Sequence, residues 1–271
     1  MKNALKYIVF LDVIFILLLS LSGFFGGILG YVIYYLAFAL PVFLGLWGGG
    51  RLGIGMSLPK LKIDRGGLVL TAGAAAPAFA LIFFVSWLTS IILSRFDNGA
   101  AADVSGNIFL VIFTHAILTA VCEESLFRYI PLAFLVPYSK RTAVIISSLF
   151  FALAHCSLYQ IPYAFLAGIV FAVLDVAYNS IIPSLILHFG NNLISIIWLR
   201  GGGEAGFARI YITVLLSFAV VSLIPMFFMR KKYRSAAAFA FGEDKTEVRE
   251  FGYAPIVFIV MTLLIAVTSL I

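Results

Sequence analysis

The sequence predicts an all-α, polytopic transmembrane helix bundle of about 8–9 spans with an interior polar cavity, and three observations carry that prediction. Of 271 residues, 63% are hydrophobic and only 11% charged, with a mean hydropathy of +1.13, well above the apolar share of soluble domains. Apolar runs of roughly 18 to 25 residues, the length that crosses the hydrocarbon core as helix, recur from end to end. The runs are continuous rather than alternating, and a bilayer admits only helices or closed barrels, so helices are expected.

In order, the expected spans are 5–22, 28–47, 67–93, 107–130, 142–157, 161–179, 182–199, 207–229 and 253–271. The first follows Lys2 and Lys6 and resembles a signal peptide, but Gly23-Phe24-Phe25 is a poor small-x-small cleavage site, so a retained anchor is expected. The basic connection 48–66 opens on Gly48-Gly49-Gly50 without the Gly-Lys-Ser/Thr of a phosphate loop, and reads as an inner loop on an anionic leaflet. Loop 94–107, with Asp97-Asn98-Gly99, reads as an outer turn. Pro131 and Pro137 are expected to kink or end the fourth span near the inner interface. Connections near 158–160 and 180–182 are short enough to make spans from 107 to 199 antiparallel neighbours. Segment 230–250 reads as a mixed-charge inner linker.

Three segments follow: N-terminal helices with a basic loop (1–106), a core (107–199), and C-terminal helices with a charged linker (200–271). With the N-terminus cytoplasmic, the inner segments collect Lys2, Lys6, Arg51, Lys60, Lys62, Arg65, Lys140, Arg141, Arg230, Lys231, Lys232, Arg234, Lys245 and Arg249. The outer segments hold Arg95, Arg200 and Arg209. The pI of about 9.3 therefore reflects membrane topology and does not point to nucleic acid. Cys122 and Cys156 specify neither a disulfide framework nor a Cys-x-x-Cys metal site.

The core holds the chemistry. Glu123 and Glu124 sit with Arg128 inside an apolar span, where a carboxylate costs several kcal/mol unless paired or facing a polar cavity. Glu124 and Arg128 are four apart, acid first, the favourable order for an ion pair. Glu123 lies about 100° round the helix without that partner. Later spans place Phe151 with His155, and His188 with Asn192, each pair on one helix face. Glu123, His155, His188 and Asn192 together supply what amide hydrolysis needs: a base for water, an acid for the leaving amine, and donors for the oxyanion. No Gly-x-Ser-x-Gly and no His-Glu-x-x-His is present. Glu123, His155 and His188 could instead form a first shell for zinc. Counted from the inner ends of the expected spans, His155 lies deeper than Glu123 and His188, so the shared catalytic cavity is an expectation for the fold to test. His115, eight residues before Glu123, reads as an outer-facing or packing histidine. Asp12 and Asp175 are further acids within spans.

The ordered set Glu123-Glu124-x-x-x-Arg128, Phe151-x-x-x-His155, His188-x-x-x-Asn192 resembles the CPBP (Abi) family of type II CAAX prenyl endopeptidases and bacteriocin-processing or self-immunity proteins. That resemblance implies an intramembrane endopeptidase acting on a membrane-associated or lipidated peptide, including a prenylated CAAX-type one, within membrane lipid. Glu123 and His155 would activate water, His188 and Asn192 would stabilise the oxyanion, and Glu124 and Arg128 would support them. The family is labelled metalloprotease as often as it is read as glutamate-dependent; the favoured form needs no cofactor, because the Asn and second His suit oxyanion donation. The alternatives are a non-proteolytic immunity or regulatory partner of the same fold and a small transporter, although the polar residues cluster in one third of the chain rather than in two symmetric halves.

Overall fold

The computed structural model describes residues 1–93, 104–201, 205–242 and 254–268. Among these residues every regular element is helical: α1 Lys2–Ser22, α2 Gly27–Arg51, α3 Arg65–Ile92, α4 Ile108–Leu135, α5 Lys140–Ala154, α6 Ile161–Tyr178, α7 Ile182–Arg200, α8 Ala205–Phe241 and α9 Ala254–Thr268. Six of them, α1 to α4 with α6 and α7, are long and apolar enough to cross a membrane. Helices α5 and α9 have 15 residues each, about 22 Å of rise against a hydrocarbon core of about 30 Å.

Several expected boundaries move. Gly48, Gly49 and Gly50 are not loop but the last turns of α2. A Cβ at Gly48 would fall on the Tyr7 hydroxyl, and one at Gly49 would meet the Phe134 ring at 2.5 Å, so bare backbone lets α1 and α4 close on α2. The stretch 230–241, expected as linker, is helical and continues α8. Residues 243–250, loop 94–103 with its Asp97-Asn98-Gly99 turn, and 269–271 lie outside the described residues.

Helix α4 also departs from expectation. It does not end at Pro131 but runs to Leu135, and two π-helical stretches, Ile112–Leu118 and Ser125–Tyr129, bracket the α-helical turn Thr119–Glu124. Pro131 has no N–H for the Phe127 carbonyl four residues back. Arg128 Nη1 donates to that carbonyl instead, at 3.1 Å. The continuation places Glu123 about 18 Å from the end of α4, comparable with the roughly 22 Å from Lys140 to His155, which removes most of the expected mismatch in depth.

One end of the bundle gathers the basic residues. The Tyr7 hydroxyl donates to the Leu44 carbonyl, tying the start of α1 to the end of α2. Ser57 N donates to Ala133 O at 2.8 Å, and a parallel bridge joins Lys60 to Ser180 at the α6–α7 turn. Lys140 Nζ sits over the Phe239 ring, joining the start of α5 to the end of α8. Tyr233 donates to Leu70 O near the start of α3. At the opposite end are the Ser22–Gly27 turn, the start of α4, and Arg200, which donates to Val104 O at 2.8 Å.

The core lies between α1, α2, α4 and α5, around Phe15, Phe38, Phe127, Phe134 and Phe150. A second cluster joins α3, α6 and α7 around Leu70, Phe171 and Leu187. Much of the remaining apolar surface points outward, as lipid-facing helices require.

Candidate active site

Glu124 and Arg128 are both fully buried, with Arg128 Nε 3.7 Å from Glu124 Oε2. The π turn after Glu124 stretches the spacing that an unbroken α-helix would give, so the ion pair is looser than the sequence pattern suggests. Two other elements complete the guanidinium's cage. Arg128 Nη1 donates to Ser147 O of α5 at 3.1 Å, and the guanidinium carbon lies 4.4 Å from the centre of the Phe151 ring. Gly168 of α6 backs the far side: a Cβ there would sit 2.9 Å from Arg128 Nη2. Glu124 Oε2 and Arg128 Nε and Nη2 are buried without a hydrogen-bond partner among the described residues, so their attraction at 3.7 Å offsets only part of the cost of burying both charges.

Helix α7 brings His188 to both carboxylates. Its Nδ1 is 2.7 Å from Glu124 Oε1, which accepts the bond, and its Nε2 is 3.7 Å from Glu123 Oε2. Glu124 therefore does more than pair with Arg128: it fixes the tautomer and the direction of the imidazole, a link between distant segments that helical spacing within α4 does not reveal. Its register depends on Asp175, buried at the end of α6, whose Oδ1 accepts from the Ser184 backbone N–H in the first turn of α7 at 3.0 Å. Pro183 at the start of that turn needs no such partner.

His155 caps the C-terminus of α5. Its Nδ1 bonds the Phe151 carbonyl at 2.8 Å, which leaves Nε2 with the lone pair in the neutral ring. The next residue, Cys156, has φ 47°, a left-handed conformation that turns the chain away at once and leaves the imidazole at the helix end. Phe151 joins the two histidines: its ring packs edge-on at 5.0 Å from His155 and 5.5 Å from His188. The sequence showed Phe151 only as a helical neighbour of His155, whereas its ring touches three polar groups of the cluster.

Glu123 differs from its neighbour. It keeps 16% of its side chain exposed and lies within electrostatic reach of Cys122, Tyr34 of α2 and Tyr163 of α6. Asn192, half-buried, follows His188 by one turn of α7. Asn191 belongs to another face, lining a small cavity with Phe79, Tyr163 and Trp198. His115 is exposed and lines a cavity of about 900 Å³, with its Nδ1 2.7 Å from Thr114 Oγ1. That location adds to the outer-facing reading of His115 a cavity the sequence did not signal.

The zinc alternative requires Glu123, His155 and His188 to converge as ligands. Among the described residues no three His, Cys, Asp or Glu side chains do so. His188 Nδ1 is engaged by Glu124 and His155 Nδ1 by a backbone carbonyl, which leaves Nε2 as the open nitrogen of each ring.

Comparison with known proteins meets this geometry over the same stretch. Residues 105–194 match the type II CAAX prenyl endopeptidase Rce1-like family. The Rce1-like segment covers a third of the chain and holds all three motifs, from the carboxylates of α4 to Asn192 of α7. The family is one of membrane-embedded CAAX protease-type endopeptidases, so over this segment the chain resembles enzymes that cleave peptide within a lipid environment. No curated protein and no solved structure matches.

Proposed function

We propose that the protein is an intramembrane endopeptidase that hydrolyses a peptide bond of a membrane-associated polypeptide, with a prenylated CAAX-type peptide as the first substrate to try. The observation that carries the reading is the junction of His188 with both carboxylates, Nδ1 on Glu124 and Nε2 toward Glu123. In this reading Glu123, aided by Nε2 of His155, takes a proton from water as its oxygen attacks the carbonyl carbon. The same proton returns to the leaving amine as the C–N bond breaks. His188 and Asn192 donate to the oxyanion. Donation from His188 Nε2 requires protons on both ring nitrogens, and the flanking carboxylates balance that cation. Glu124 and Arg128 position His188 and do not touch substrate. Residues 107–199 form the catalytic core, with the segments 1–106 and 200–271 around it. The chain makes eight or nine crossings with a cytoplasmic N-terminus.

The test is cleavage of a quenched farnesylated peptide in detergent by wild type and Glu123→Ala, with and without a zinc chelator. Cleavage by wild type, abolished in Glu123→Ala and indifferent to chelator, is the expected result. Cleavage retained by Glu123→Ala would remove Glu123 from the mechanism, and chelator sensitivity reversed by added zinc would overturn the metal-free assignment. A non-proteolytic partner of the same fold would cleave nothing.

A further inference from the structure

The largest described cavity opens at the end of the bundle opposite the basic residues, and this bears on which substrates can reach the proposed site. The cavity of about 900 Å³ lies in the upper part of the size range of ligand pockets. Its rim includes Ser22, Phe25 and Gly27 of the α1–α2 turn and Ser105 before α4, all at the end that carries Arg200. Its depth is marked by Thr119, one turn before Glu123 on α4, and by Tyr34 in the second turn of α2. The cavity therefore descends from that rim to within about 6 Å, along the helix axis, of the proposed general base.

The other end holds Lys2 and Lys6, Arg51, Lys60, Lys62 and Arg65, Lys140 and Arg141, and the Arg230–Arg234 cluster. They are drawn together by the Tyr7–Leu44, Ser57–Ala133, Lys60–Ser180 and Lys140–Phe239 contacts. Lys and Arg flanking membrane helices are retained on the cytoplasmic side. The rim at the opposite end then faces away from the cytoplasm.

Resting on the proteolytic reading, we infer that this cavity admits substrate from the non-cytoplasmic face, and that the substrate is an extended segment of an exported or membrane-anchored polypeptide. The lining fits such a segment: Phe25, Tyr31, Tyr34 and Tyr35 offer apolar faces, while Ser22, Thr114 and Thr119 offer hydroxyls to a peptide backbone. Among the described residues the lining carries His115 and three tyrosines and no Asp, Glu, Lys or Arg.

The experiment uses the full chain with Cys122→Ala and Cys156→Ala, so that single reporter thiols can be read with a membrane-impermeant maleimide before and after permeabilisation of cells. Thr114→Cys and, as a second reporter, Tyr31→Cys test the cavity. Leu61→Cys, on a residue 68% exposed at the basic end, tests the opposite face. The expected result is labelling of the cavity reporters in intact cells to the level reached after permeabilisation, and of Leu61→Cys only after it. Labelling of Leu61→Cys in intact cells overturns the inference. So does failure of both cavity reporters to label in intact cells. A second arm places the farnesylated peptide, or an uncharged peptide carrying no lipid, outside or inside sealed proteoliposomes whose orientation the same reporters establish. Glu123-dependent cleavage only at the basic face overturns the inference. No cleavage at either face, with labelling as expected, removes the protease reading and leaves the sidedness of the cavity standing.

Discussion

Glu124 has no exposed surface and spends its carboxylate on Arg128 and on His188 Nδ1, whereas Glu123, the preceding residue, remains partly open and approaches His188 only to 3.7 Å. The two sides of α4 are accordingly a dry half and a wet half of one site. The dry half, completed by Phe151, Ser147 and Gly168, surrounds charge with opposite charge and an aromatic face; the wet half leaves the Glu123 carboxylate partly exposed. One acid is shielded and the other partly open, and the difference is set by which helices pack on each side of α4.

The largest effect should come from breaking the dry half. Glu124→Gln leaves Arg128 buried without its counter-charge, a loss of about 3–5 kcal/mol for a buried pair broken on one side. Thermal unfolding in detergent should show it, and Glu124→Gln combined with Arg128→Met should recover part of the loss. An equal or larger loss in the double variant would mean that the guanidinium is held by Phe151 and the carbonyls without need of Glu124. Glu123→Gln sharpens the contrast: cleavage should fall by about 10²–10⁴, the usual worth of a general base, while stability changes by less than about 1 kcal/mol. A large stability change there would make Glu123 a second structural acid.

Gly168→Ala presses on the same dry half from α6. The added Cβ would meet Arg128 Nη2 at 2.9 Å and Ser148 at 3.0 Å, and overpacking of this kind costs about 1–3 kcal/mol. Unchanged stability would show that α6 can shift away. Phe151→Leu should cost less than either change to the buried pair, about 1–2 kcal/mol from the lost cation–π contact and ring packing. It should still lower turnover more than stability explains, because both histidine rings rest on that side chain. Loss of stability with turnover per folded molecule intact would confine Phe151 to the dry half.

Much of the dry half's composition, but little of its wiring, is legible in the chain. An acid four residues before a base inside an apolar run announces Glu124 and Arg128 directly, because charge in a membrane helix needs a partner. The bond from Glu124 to His188 joins residues 64 apart and leaves no mark on either local pattern. The π turns are equally silent. They redistribute the face of α4 on which each residue falls, and the Arg128 bond to the Phe127 carbonyl, which lets the helix continue through Pro131, depends on a conformation that composition does not specify. The fourth span therefore runs beyond the limit that Pro131 suggests, and Gly48 and Gly49, which read as loop in the sequence, are helical and seat Tyr7 and Phe134.

The sequence by itself determined the helical class, the membrane setting and the ordered motifs, because hydrophobic run length and isolated charges are local properties with direct energetic consequences in lipid. Only the tertiary structure decided which acid is shielded and which is open, that Phe151 lies between the histidines, and that the cavity opens opposite the basic end. Each of these depends on α2, α5, α6 and α7 approaching α4 from particular sides, and burial is a property of the assembled bundle rather than of any one segment.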